Sequence, residues 1–209
     1  MRLCMFHPVG HPMERGWVGR VDDDRVVHLA AQTLQSFFTG GGTAREHAEY
    51  RLDDVRLLSP VLHPPSVRLF EDHTTFAFAN PAAVKGPGGV VHGPRKTLTV
   101  LPRVAAVIGA EGAIGGFTVL AEWRAEGVAP PKDRDFALGL GPVVVTPDTC
   151  SLPADGFDWA AAVQLAALGT ALFPGDILAG PPVERVVGEF GDVVEVEIDG
   201  LGALEQRLA

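Results

Sequence analysis

Val100–Pro142 reads VLPRVAAVIGAEGAIGGFTVLAEWRAEGVAPPKDRDFALGLGP. Two apolar runs, Val100–Gly109 and Gly115–Trp123, have the composition of strands. A polar link follows them, and then a lysine ahead of a Gly-rich turn. Successive side chains of a strand point to opposite faces. Leu101, Arg103, Ala105 and Val107 therefore share one face of the first run, and Thr118, Leu120, Glu122 and Arg124 share one face of the second. If both faces line one cavity, Arg103 and Glu122 are its charged groups. Lys132 then approaches from the loop, and Arg124 joins from the end of the second strand.

Several motifs agree in order with those of a known family. VAAVIG, GGFTVLAEW and KDRDFALGLGP keep the frame of a strand ending in V-I-G, a G-F-T strand and a lysine before an L-G-P turn. Upstream, PPSVRLFEDH and FANPAAVKGPGG match a lid segment and an N-P-A-A-x-x-G-P-G run; downstream, FPGDILAGPP and GDVVEVEIDGLGALE match closing strands. From about Val55 to Leu204 the chain resembles the fumarylacetoacetate hydrolase superfamily. The resemblance implies an α+β, mostly β fold, a mixed β-sandwich roll, in a shortened member. It implies a small accessory region over residues 1–54 and a catalytic-type domain over 55–209.

The departures from that pattern carry the chemistry. Members hold Mg²⁺ or Mn²⁺ with four carboxylates. The two of an E-x-E fall here on Leu101 and Arg103, a third on Glu122, and a fourth near Leu69 in a shortened lid. Hard divalent cations need several oxygen ligands. An arginine at a ligand position adds a fixed positive charge instead. The expectation is therefore that no metal and no other cofactor is used.

By the same resemblance, His73 with Glu71 in the lid is a proton-moving pair, suited to it by an imidazole pKa near neutrality. Lys132 stabilises developing negative charge. Glu122 is a second candidate for proton transfer, while Arg103, Arg124 and Lys132 are expected to bind an acidic substrate, with guanidinium groups gripping carboxylates bidentately. Pro181 replaces a threonine hydroxyl that members often have. The ordinary alternatives are a surface loop for His73, a solvated Lys132 and a purely structural Arg103–Glu122 pair. His7 and His11 have the spacing of helical metal ligands, but Pro8 and Pro12 argue against a helix.

Composition narrows the partners. A net charge of −9 argues against nucleic acid and anionic membrane surfaces. The start of the chain lacks an apolar leader, and no apolar run approaches the length of a membrane span. Cys4 and Cys150 form no disulfide framework, so a reduced, cytoplasmic setting is expected.

The remaining chain reads as a strand at Arg2–Phe6, a hairpin of Trp17–Val21 and Arg25–Leu29 around an acidic turn, and a helix at Gln32–Phe38. A second helix is expected over Ala44–Leu52, capped by Thr43 with Glu46 in a capping box. Further strands are expected at Phe76–Asn80, Val143–Thr146, Asp176–Ala179 and Asp192–Asp199, and a helix at Asp158–Leu172 that Pro174-Gly175 ends. The expected function is a divergent, metal-independent enzyme, a homodimer acting on a small oxo-acid or enolisable substrate. Its chemistry would be proton transfer with C–C or C–O cleavage, isomerisation or cyclisation. The alternatives are a binding protein that kept the fold, and a Mg²⁺-dependent hydrolase or decarboxylase with relocated ligands.

Overall fold

A computed structural model describes residues 1–150 and 156–209. The strands are β1 (Arg2–Pro8), β2 (Trp17–Asp22), β3 (Arg25–Leu29), β4 (Glu46–Arg51), β5 (Val55–Leu58), β6 (Val67–Asp72), β7 (Thr75–Ala79) and β8 (Val84–Lys85). After them come β9 (Gly89–Val91), β10 (Thr97–Ile108), β11 (Ile114–Arg124), β12 (Leu138–Val145), β13 (Ile177–Pro182), β14 (Val186–Glu189), β15 (Val193–Ile198) and β16 (Gly202–Leu208). Two α-helices are described, α1 (Leu34–Thr39) and α2 (Trp159–Ala167).

Most strands join one mixed sheet in the order β4-β3-β2-β1-β12-β11-β10-β13-β6-β7, with β14, β5 and β8 attached beside it. The first 54 residues thus enter the same sheet through the β1–β12 pairing. A second, three-stranded sheet is ordered β15-β16-β9.

The long β10 carries the alternation into two cores. Val104, Ala106 and Ile108 face one core, with Val194, Val196, Ile198 and Leu204 of the small sheet and Ala162 and Ala166 of α2. Ala105 and Val107 face the other, with Leu34, Phe37 and Phe38 contributed by α1 and its end. Each methylene so buried contributes about 0.8 kcal/mol, and both faces of the sheet are covered.

Pro102 sits in the middle of β10, where a missing N–H would ordinarily break a ladder. Here β10 changes partner from β14, which pairs with Thr97–Val100, to β13, which pairs from Arg103 onward. The Pro102 carbonyl accepts from Val183 N at 2.9 Å, in the connection between those two strands. Its nitrogen therefore lies where β10 changes partner, at the end of the β13 ladder rather than within it.

The acidic turn closes as expected, with Asp22 paired to Arg25 and Asp23 in the left-handed region at φ 50°. Helix α1 is capped by Thr33, whose side chain accepts from Ser36 N at 3.1 Å.

Two expectations are corrected. The segment expected as a helix over Ala44–Leu52 is strand β4, paired antiparallel to β3 through Val26↔Tyr50 and Val27↔Glu49. EHAEYR has residues that favour a helix locally, but β3 needs an edge partner, and Tyr50 packs its ring against Phe6 at 5.5 Å. Tertiary pairing outweighs propensities of a few tenths of a kcal/mol per residue. The second helix begins as expected, with Asp158 accepting from Ala161 N at 2.9 Å, but it ends at Ala167. Gly169, at φ +72°, turns the chain well before Pro174.

Candidate functional site

Arg103 and Glu122 meet as the face parity requires. Leu101 lies directly opposite Glu122 across β10 and β11, and Arg103 lies opposite Leu120. The two charged side chains are thus diagonal neighbours on one face. Both are wholly buried. Arg103 Nε donates to Glu122 Oε2 at 2.8 Å, and Nη2 lies 2.8 Å from the same oxygen.

The guanidinium's other donors are also taken. Nη1 donates to the carbonyls of Phe70 and Gly180, each at 2.8 Å, and Nη2 donates to Glu71 Oε1 at 2.8 Å. A guanidinium has five N–H groups; four hydrogen bonds to protein acceptors engage all three nitrogens, and the Nη2 ion-pair contact with Glu122 adds to them. Buried charge is expensive unless paired and hydrogen-bonded throughout, and this arrangement meets that demand.

Glu122 is held from its other side. Arg124 Nε donates to Glu122 Oε1 at 2.7 Å, and its Nη2 lies 3.5 Å from Glu71 Oε1. Arg124 is partly exposed and borders a cavity of about 220 Å³ shared with Leu101, Thr99, Asp133 and Arg185. The Asp133 carboxyl is held below the usual carboxylate range by its hydrogen bonds from Arg134, while its Oδ1 has no hydrogen-bond partner among the described residues. The site is therefore a run of alternating charges, Glu71, Arg103, Glu122 and Arg124, dry in its middle pair and open at both ends.

The other candidates lie apart. Lys132 is exposed and pairs with Asp135 at 2.8 Å. It borders a separate cavity with Asn80 and His92 rather than the one beside Arg124. His73 lies in the tight turn between β6 and β7, exposed, and forms no hydrogen bond or ion pair with the cluster among the described residues. Its neighbour Asp72 instead accepts from Thr74 and Thr75, which holds the Asp72 carboxyl below its ordinary range. The expected lid is a β6–β7 hairpin, and Glu71 is the residue it brings to the cluster. His7 lies in strand β1 with Nδ1 against Pro8 O at 2.9 Å, so no helix presents it beside His11.

The donor set does not fit a divalent cation. Of the four positions assigned to carboxylates, Leu69 is buried and apolar, Leu101 is apolar, and Arg103 is cationic. Glu122 has both oxygens engaged by guanidinium groups. Among the described residues no group of three or more His, Cys, Asp or Glu side chains gathers where a metal ion could be held. No helix among them is long and apolar enough to cross a membrane.

Sequence reading alone missed two partners of Arg103, the carbonyls of Phe70 and Gly180. Backbone acceptors carry no residue signature, so no pattern announces them.

No family model matches the chain, and no curated protein matches it. Solved structures do. A maleylpyruvate hydrolase from Sphingobium sp. SYK-6, in complex with manganese(II) and pyruvate, is 20% identical with a TM-score of 0.78, over 100% of this chain and 99% of that one. A 5-carboxymethyl-2-hydroxymuconate delta-isomerase from Mycobacterium smegmatis is 20% identical with a TM-score of 0.75, again over 100% and 99%. A 2-keto-3-deoxy-D-arabinonate dehydratase, complexed with magnesium and 2,5-dioxopentanoate, is 17% identical with a TM-score of 0.78, over 100% and 98%. The shared trace, end to end, shows that this chain has the fold of the fumarylacetoacetate hydrolase superfamily.

Proposed function

We propose that the protein is a divergent enzyme of this fold that binds a small oxo-acid and moves a proton without a divalent cation. The observation that carries the reading is the Arg103 guanidinium, buried among Glu71, Glu122 and two carbonyls at the centre of the site. Structural neighbours named as hydrolase, isomerase and dehydratase, two of them holding pyruvate or 2,5-dioxopentanoate, support the substrate class.

The roles divide by access. Arg103 is wholly buried with every nitrogen engaged by protein acceptors, so it acts through its charge, fixing the two carboxylates in place. Arg124 lines the cavity, its Nη1 has no hydrogen-bond partner among the described residues, and it is the group that grips the substrate carboxylate. Glu71, exposed and 3.5 Å from Arg124, is hydrogen-bonded through Oε1 and leaves Oε2 for proton transfer at the carbon next to the carbonyl. The arginines beside it favour the enolate that forms. Glu122, with both oxygens engaged, is a positioning residue in this scheme. Lys132 and His73 reach the substrate only if their loops move, and they are secondary candidates.

A second reading has a specific observation behind it. The burial of Arg103 among protein acceptors also suits a binding protein that kept the fold and lost the chemistry.

Both are separated by incubating the protein with pyruvate and 2,5-dioxopentanoate in D₂O and following proton exchange next to the carbonyl by NMR. Exchange that persists in EDTA and disappears in Glu71→Gln supports the enzyme. Binding by calorimetry without exchange supports the binding protein. Exchange abolished by EDTA and restored by Mn²⁺ would overturn the metal-free scheme.

A further inference from the structure

An irregularity between β3 and β4 brings two imidazoles onto one face of the N-terminal strands. Val27 lies opposite Glu49 and Leu29 opposite Glu46, so His28 stands against both His47 and Ala48. A regular ladder would set Ala48 opposite His28 and turn His47 to the other side of the sheet, because side chains alternate. The extra residue re-aims His47 instead, as β-bulges do, and the two ring centres lie 5.1 Å apart at an angle of 31°. His28 is partly buried and its ring is held flat. It stacks on Trp17 at 4.7 Å and 15°, with the Phe6 ring edge-on at 6.2 Å. His47 is exposed. Neither ring makes a hydrogen bond or ion pair among the described residues. The acidic neighbours on β4 are already engaged, Glu46 by Arg20 and Glu49 by Arg25.

We propose that His28 and His47 form a two-imidazole site for a borderline divalent transition ion, Zn²⁺, Ni²⁺ or Cu²⁺, with water in the remaining positions. An imidazole nitrogen binds such an ion at about 2.0–2.1 Å, and the ring centre lies about 1.1 Å farther on; two such arms at a tetrahedral angle set the ring centres about 5 Å apart. That is the separation found. Burial, and then the neighbouring His47, lowers the His28 pKa, so its ring offers a lone pair rather than a proton at neutral pH. Imidazole suits these ions, whereas Mg²⁺ and Ca²⁺ prefer oxygen, so this site takes a different class of ion from a carboxylate set. A bound ion ties edge strand β4 to β3 where the ladder between them is interrupted. The site owes nothing to the oxo-acid reading, and either can fail alone.

The test is a calorimetric titration of EDTA-stripped protein with ZnCl₂, NiCl₂ and CuCl₂, and with MgCl₂ as the hard-ion control. One ion per chain should bind, Cu²⁺ most tightly, and Mg²⁺ should not. His28→Gln and His47→Gln should each weaken Zn²⁺ binding about tenfold or more, since each removes half of the protein's ligands. Zn²⁺ should raise the melting temperature of the parent and not of His47→Gln, because only the folded chain holds both rings together. Cu²⁺ should also quench the fluorescence of Trp17, which stacks on one ligand. Trp17→Phe should remove most of that quenching and keep the calorimetric binding.

Zn²⁺ binding that survives both histidine substitutions places the ion elsewhere and overturns the inference. So does a parent that binds no Zn²⁺, or that binds Mg²⁺ as tightly. His47 is exposed, so His47→Gln in EDTA should keep the parent's urea midpoint, and its loss of Zn²⁺ is then a loss of ligand rather than of fold.

Discussion

Arg103 Nε and Nη2 both lie 2.8 Å from a single oxygen of Glu122, while Arg124 holds the other oxygen at 2.7 Å. A buried carboxylate is thereby clamped between two guanidinium groups, one wholly dry and one at a cavity wall.

Breaking the clamp from its dry side should be costly. Arg103→Ala leaves Glu122 buried and half-paired, and loss of one partner of a buried pair costs about 3–5 kcal/mol. Arg103→Met combined with Glu122→Leu should cost less than the two single changes summed, because no orphaned charge remains. Urea midpoints at constant slope measure both. A cost below about 1 kcal/mol for Arg103→Ala would be that of an exposed pair and would contradict the burial.

Carboxylates at the two positions of β10 should recreate a cation site. Leu101 lies opposite Glu122, so Leu101→Glu with Arg103→Glu gathers three carboxylates on one face. Calorimetry should detect Mn²⁺ binding in the double variant and none in the parent. Binding by the parent, or no gain in the variant, would count against the alignment of β10 with the E-x-E strand.

The N-terminal aromatic cluster should make stability depend on pH. His28 stacks on Trp17 at 4.7 Å and lies 5.1 Å from the His47 ring. Burial first, and the neighbouring His47 second, push the His28 pKa below its ordinary 6.5. Between the lowered folded value and 6.5 the unfolded chain binds more protons, so stability rises with pH through that window. It is complete above the unfolded value and is lost as pH falls below it. Melting temperatures from pH 5 to 7.5 should show this slope, and His28→Gln should flatten it. An unchanged slope would place its origin elsewhere.

Pairing between copies should use the β7 edge. The main sheet ends in β4 on one side and β7 on the other. The β4 edge carries Glu46, Glu49 and Arg51, charges that discourage edge pairing. The β7 edge, TFAFA, has none, and Phe78 is 67% exposed there. Light scattering at micromolar concentration should report a homodimer, and Phe78→Glu should shift it to the monomer. A monomer mass in the parent would refute the pairing.

Much of this was legible in the residues themselves. Alternation along Val100–Gly109 and Gly115–Trp123 placed Arg103, Glu122 and Arg124 toward one space, because a strand's side-chain period is independent of what surrounds it. Motif order from PPSVRLFEDH to GDVVEVEIDGLGALE pointed to the fold. Tertiary structure alone decided the rest. It set the β10–β11 register that makes Arg103 and Glu122 diagonal partners, and it brought Glu71 to Arg103 from 32 positions away. It also kept Lys132 on Asp135 and left His73 on a hairpin turn. It turned EHAEYR into a strand because β3 offered an edge to pair with. Period and composition are properties of the local chain, whereas register, closure of distant contacts and the filling of an open edge depend on partners far away in sequence, which local pattern does not encode.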